Sequence, residues 1–139
     1  MDQLYQDRIL ALAKAVRQAP SVEDPTHTAT VSNPTCGDRV EIRLRVTAGR
    51  ITDASTHVRG CALCEAGAGL FLELAPGLST NALTCIGDDL GEWLAGDDGI
   101  DIQDAMTAFA PVRAIRNRHK CVTLAFEAGK QAMADTDEN

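Results

Sequence analysis

Between Arg39 and Val46 polar and apolar residues alternate without interruption, with Val40, Ile42, Leu44 and Val46 on one side and Arg39, Glu41, Arg43 and Arg45 on the other. Successive side chains of a strand point to opposite faces, so this segment predicts an antiparallel strand with one face buried and the other in water. Ala48-Gly49-Arg50 reads as a hairpin turn and Ile51 to Val58 as the returning strand. Upstream, Thr28 to Val31 reads as a short edge strand, and Asn33-Pro34-Thr35-Cys36-Gly37-Asp38 as the turn that leads into the alternating strand.

Helical spacing surrounds this sheet. Met1 to Ala19 carries Leu4, Ile9, Leu12, Ala13 and Val16 at helical intervals, ending at Pro20. Gly60 breaks the returning strand, Cys61 opens a helix from Ala62 to Leu74 that is rich in Ala and Gly, and Pro76-Gly77 stops it. Ser79 or Thr80 caps a further helix with Leu83, Ile86, Leu90, Trp93 and Leu94 on its apolar face, and Cys85 is expected on its buried side. Ile102 to Ala110 reads as a short helix and Val112 to Ala134 as a final helical stretch, with a polar tail, 135–139, expected to fray.

At 139 residues the whole chain, 1–139, is read as one domain, long enough to bury a core without a metal or disulfide to hold it. No apolar run of the ~20 residues needed to cross a bilayer occurs, and residues 1 to 20 carry charge throughout rather than an export signal, so the expected location is cytoplasmic. The formal net charge of -7 opposes phosphate backbones and anionic membrane surfaces, which sets both aside as partners. Nine acids and no Lys or Arg fall between Arg59 and Arg113; then Arg113, Arg116, Arg118 and Lys120 arrive within eight residues and lead into Cys121.

Five cysteines without an export signal argue against a disulfide framework. A hairpin of two eight-residue strands brings its open ends together, so Cys36, Asp38 and Cys61 are expected close in space. If the start of the last helix folds onto that open side, Cys121 joins them. Three thiols with one carboxylate suit Zn²⁺, iron or an iron–sulfur cluster, and the oxygen ligand would make the site exchangeable. The basic flank and helix start at Cys121 predict a thiolate there, the alternative being a buried cysteine on the helix with exposed basic neighbours. Cys64, in Cys61-Ala62-Leu63-Cys64, is an alternative fourth ligand or half of a redox pair, although the element order lacks the βαβ context of thioredoxin-like sites. His57 is near Cys61 on its strand but reads first as a surface imidazole, and His119, two residues before Cys121, is a candidate ligand or acid only if it points inward.

Taken together, Leu4-Tyr5, Asn33-Pro34-Thr35-Cys36-Gly37-Asp38-Arg39, Gly60-Cys61-Ala62 and Arg118-His119-Lys120-Cys121 resemble the iron–sulfur cluster assembly scaffold family that includes IscU, SufU and the N-terminal domain of NifU. The resemblance implies an α+β domain of SufE/NifU-like fold, a three-stranded antiparallel sheet with helices on one side, and a ligand set of Cys36, Asp38, Cys61 and Cys121. It implies a cysteine desulfurase (SufS-like) as sulfur donor and recipient apoproteins or a downstream scaffold as acceptors. The long segment between Cys61 and Cys121, and Lys120 before the last cysteine, are closest to the SufU type. The Leu-Pro-Pro-Val-Lys segment by which IscU-like members engage an Hsp70 chaperone is missing. Two activities are compatible with these residues. One is a scaffold that assembles a [2Fe-2S] cluster; the other is a zinc-dependent sulfurtransferase with Cys121 as the sulfur acceptor. A structural zinc module is a third reading.

Overall fold

The alternating segment is the middle of a three-stranded antiparallel sheet in a computed structural model that describes residues 2–35 and 37–137. The order is β1 (His27–Ser32), β2 (Arg39–Thr47), β3 (Arg50–Arg59), with Ser32 opposite Arg39 and Arg39 opposite Arg59. Val40, Ile42 and Leu44 are fully buried, while Arg39 and Arg45 stay exposed, as the period of two requires. The turn between β2 and β3 is two residues long: Ala48 and Gly49 both take positive φ, 54° and 77°, the hand that matches strand twist, so Arg50 already belongs to β3.

Helix α1 (Gln3–Gln18) starts where the Asp2 carboxylate accepts a bond from the Leu4 amide at 3.2 Å. Helix α2 runs from Ala62 to Leu74, and α3 (Thr80–Leu94) is capped by Ser79, whose hydroxyl accepts from the Ala82 amide. Helices α2 and α4 (His119–Asp137) pack on the sheet, and α2 lies between α1 and α4. The core sits between sheet and helices; Ile42, Leu44, Leu70, Phe71 and Phe109 are among its fully buried side chains, each contributing about 1.5–3 kcal/mol by removal from water. The outer sheet face is partly covered by the polar segment after α1. Its Val22 amide donates to Ser55 Oγ at 2.9 Å, and Arg43 and Arg45 donate to the Val22 and Glu23 carbonyls.

Three expectations change. Cys85 is exposed, not on the buried side of α3. The segment read as a helix from Ile102 to Ala110 is a 3-10 run, Asp104–Ala114, that contains Pro111. The final α-helix begins at His119, after a second 3-10 turn at Arg116–Arg118, because Pro111 has no amide to donate and its ring crowds the preceding turn of an α-helix. The expected tail from residue 135 is helical as far as Asp137; Glu138 and Asn139 lie outside the described residues. Among the described residues no helix is long and apolar enough to cross a membrane.

Gly91 is interior to α3, and a Cβ built on it meets nothing within 4 Å. Gly91→Ala is expected to stabilise the fold by about 0.5–1 kcal/mol, because glycine loses more backbone freedom in a helix than alanine does. Denaturant unfolding of the two proteins side by side checks it; a destabilised variant contradicts the open space around Gly91.

Candidate metal centre

The two strands that meet at Arg39 and Arg59 bring Asp38, just before β2, beside Gly60 and Cys61, just after β3. The turn before β2 is closed by its own backbone: the Asn33 amide donates to the Asp38 carbonyl at 2.7 Å, and the Gly37 amide donates to the Asn33 carbonyl at 2.8 Å. Gly37 takes φ 75°, which a side chain rarely adopts, and the Asn33 side chain accepts from the Thr35 amide. Asn33 and Asp38 are both buried as a result. Residue 36, the expected fourth ligand, lies outside the described residues, between two that this turn holds in place.

Gly60 is needed on the other side. A Cβ there would come 2.5 Å from Asp38 Oδ1 and 3.2 Å from the Cβ of Cys64, so only the bare backbone lets the carboxylate lie against β3. Cys61 is the N-cap of α2, with extended backbone and no side-chain bond to the helix, and it is half-buried. Cys121 arrives on the first turn of α4. The His119 ring, two residues earlier, holds that turn down: its Nε2 lies 2.9 Å from the Val112 carbonyl and 3.1 Å from the Arg113 carbonyl, so Nε2 carries the proton and donates to the end of the 3-10 run.

The register of the hairpin brings Asp38 beside Cys61, the start of α4 adds Cys121, and the ligand atoms of the three all lie within 4.8 Å of one another. The Cys121 thiol, fully buried, donates to Asp38 Oδ2 at 3.0 Å. The structure corrects the expected thiolate. Burial first, then the bond donated to Asp38, then the negative charges of Cys61 and Asp38 push the Cys121 thiol well above its ordinary value of 9.0. Arg116 and Lys120 are exposed, so water screens their charges from the sulfur. Arg113 is engaged elsewhere: it pairs with Asp98 and lies over the Trp93 ring, 4.9 Å from its centroid.

Of the other residues singled out in the sequence, Cys64 is fully buried one turn into α2 and is not in the converging group. His57 is exposed on β3 opposite Glu41, on the outer sheet face. Gly60 and the His119 clamp were not anticipated; a glycine directly before a ligand cysteine was the available signal for the first.

Two thiols and a carboxylate held together, Asp38 and Cys121 buried and Cys61 half-buried, form a donor set that soft or borderline cations and iron–sulfur clusters take. With the three-stranded sheet and a helix start closing over it, this defines a small α+β domain built around a thiol–carboxylate centre. The chain belongs to the NifU-like N terminal domain family, which it matches over residues 4–137. It is similar to the zinc-dependent sulfurtransferase SufU of Bacillus subtilis (strain 168), 26% identical over 137 residues that span 96% of this chain and 92% of the relative. It is also similar to the iron–sulfur cluster assembly scaffold protein IscU 1 of Archaeoglobus fulgidus, 32% identical over 94 residues, which are 67% of this chain and 61% of that protein. Among solved structures, the N-terminal NifU-like protein of Brucella abortus superposes with a TM-score of 0.84 at 26% identity, covering 97% of this chain and 95% of the other. A SufU scaffold structure from Fervidobacterium islandicum shares the fold, with a TM-score of 0.77 at 18% identity over 91% of this chain and 94% of that one.

Proposed function

We propose that the protein is an iron–sulfur cluster assembly scaffold that receives sulfur from a cysteine desulfurase, holds a [2Fe-2S] cluster on Cys36, Asp38, Cys61 and Cys121, and passes it to apoproteins. The convergence of Asp38, Cys61 and Cys121 within 4.8 Å at the open end of the hairpin is the observation that carries this reading. Cys36 enters it from its place in the turn, two residues before Asp38. A cluster bound here is cargo, and the buried carboxylate is the ligand that lets it leave, since oxygen holds these metals less firmly than sulfur.

One observation favours a second activity at the same residues, zinc-dependent sulfur transfer. The Cys121 thiol donates to Asp38 Oδ2 at 3.0 Å, and burial together with that bond favours its protonated form. It is then a poor nucleophile, because the thiolate is the reactive form. A divalent cation at this centre would supply the positive charge that makes the Cys121 sulfur anionic. Asp38, now relieved of the thiol proton, would hold that charge with Cys61, and Cys121 would be the sulfur acceptor. One relative that spans nearly the whole chain, the Bacillus subtilis sulfurtransferase, bears a name in keeping with this chemistry.

Purification without air, followed by metal analysis and a visible spectrum, separates the two. Brown protein with iron and sulfide supports the scaffold; colourless protein with one zinc per chain supports transfer. Protein that takes up neither metal when reduced removes both.

A further inference from the structure

We propose that Cys61 and Cys64 form a reversible disulfide that withdraws Cys61 from the metal centre, so that loading requires a reduced Cys61-Ala62-Leu63-Cys64 pair. Cys61 is the N-cap of α2 and Cys64 the third residue of its first turn. An N-cap side chain reaches the third residue of its helix, which is how N-cap hydroxyls bond the amide there. With a rise of about 1.5 Å per residue and a Cα radius of about 2.3 Å, the Cα atoms of residues three apart on a helix stand about 5 Å from each other. That falls within the span of roughly 4.4–6.8 Å between the Cα atoms of a disulfide. The extended backbone at Cys61, φ -74° and ψ 171°, leaves its side chain bound to nothing in the helix. Rotation about its Cα–Cβ bond is the motion that would turn the sulfur from the centre towards Cys64.

Cys64 is next to the centre already. Its Cβ and the Asp38 carboxylate press on the same side of Gly60, at 3.2 and 2.5 Å from where a Cβ would stand. Exposure differs between the two thiols in the order that a stepwise oxidation needs: Cys61 is half-buried and within reach of a small molecule, and Cys64 is fully buried. With a small-molecule disulfide as oxidant, the Cys61 thiolate attacks one sulfur, forming a mixed disulfide and releasing one thiolate. Cys64, deprotonated, then attacks Cys61 Sγ, forming the Cys61–Cys64 bond and releasing the second thiolate. Two cysteine thiols give up two protons and two electrons, and one external disulfide becomes two thiols. A dithiol reductant reverses both steps.

That the disulfide blocks loading rests on Cys61 being a ligand under the proposed function; that it forms does not. The test uses the full chain, stripped of metal with a chelator and incubated with oxidised glutathione. Non-reducing peptide mapping is expected to show the loss of two hydrogens within the peptide carrying residues 61–64, Zn²⁺ affinity at least tenfold weaker, and recovery of both on adding a dithiol. Reduced Cys64→Ser is expected to bind Zn²⁺ as the parent does and, after oxidation, to stop at a glutathione adduct on Cys61; Cys64→Ala serves if the serine disturbs the core. A bond between Cys61 and Cys121 instead, an oxidised parent that stops at the adduct, or loss of Zn²⁺ binding in both reduced variants overturns the proposal. Formation of the bond in a protein that binds no Zn²⁺ even when reduced overturns only the metal reading.

Discussion

Gly67→Ala is expected to destabilise the protein by about 3 kcal/mol and to weaken metal binding at the same time. A methyl at Gly67 would run into the backbone of Val122, within 2.9 Å of its carbonyl carbon and closer still to the oxygen. Overpacking costs typically about 1–3 kcal/mol when side chains can yield, and here the obstacle is the main chain of α4, so the upper end applies. Val122 adjoins Cys121. Pushing α4 away from α2 therefore separates the Cys121 sulfur from Asp38 and Cys61, which are fixed to the sheet and to the start of α2. Denaturant unfolding measures the first effect and Zn²⁺ titration the second, with at least a tenfold loss of affinity expected. A variant with parental stability and affinity would show that α2 and α4 can part freely at this crossing. Gly69 makes the same close approach to the Leu12 backbone of α1.

Removing metal with a chelator is expected to slow sulfur uptake by Cys121 at least tenfold and to make stability fall at alkaline pH. Both effects come from one proton. In the metal-free fold the Cys121 thiol is raised above its ordinary 9.0 by burial, by its bond to Asp38 and by neighbouring negative charge. The folded state therefore binds this proton more tightly than the unfolded chain does. Its contribution to stability is fully present below about pH 9 and is lost as pH rises above that, where the unfolded chain gives up the proton and the fold retains it. Metal binding displaces the proton, so the loaded protein should lack this alkaline loss, and its apparent affinity should rise with pH. The measurements are thermal unfolding against pH with and without Zn²⁺, and mass spectrometry after incubation with a cysteine desulfurase and cysteine. Addition of one sulfur atom to Cys61 rather than Cys121, or equal uptake rates with and without metal, would refute the role given to Cys121. An unchanged alkaline profile in the two forms would refute the proton account.

Much of the centre was legible because its parts are local. The alternation from Arg39 to Val46 and the return from Ile51 to Val58 set the hairpin, and a hairpin places the residues entering its first strand beside those leaving its second. Asp38 and Cys61 are neighbours for that reason alone. Helix α2 was legible to the residue, since Gly60 and Pro76-Gly77 punctuate it on both sides. Cys85 was misjudged by its adjacency to Ile86. It lies two positions beyond Leu83, about 200° round a helix, so the residue that defines the buried face puts Cys85 on the opposite side. The segment before α4 was misjudged because its apolar spacing continues through Pro111 while its backbone hydrogen bonding does not.

By itself, then, the sequence determined the strands, their order along the hairpin, three of the helices and the types of ligand, all of which depend on neighbours a few residues apart, while the two-residue turn that draws Arg50 into β3 opposite Thr47 appears only in the structure. The tertiary structure decided the state of those ligands. The basic residues before Cys121 predict a thiolate when read along the chain, but Arg113 is drawn to Asp98 and Trp93 and Arg116 and Lys120 are exposed, while the sulfur is buried against a carboxylate. Which of two nearby charges governs a proton is set by distance and solvent, and both are fixed only when α4 docks on the open end of the hairpin.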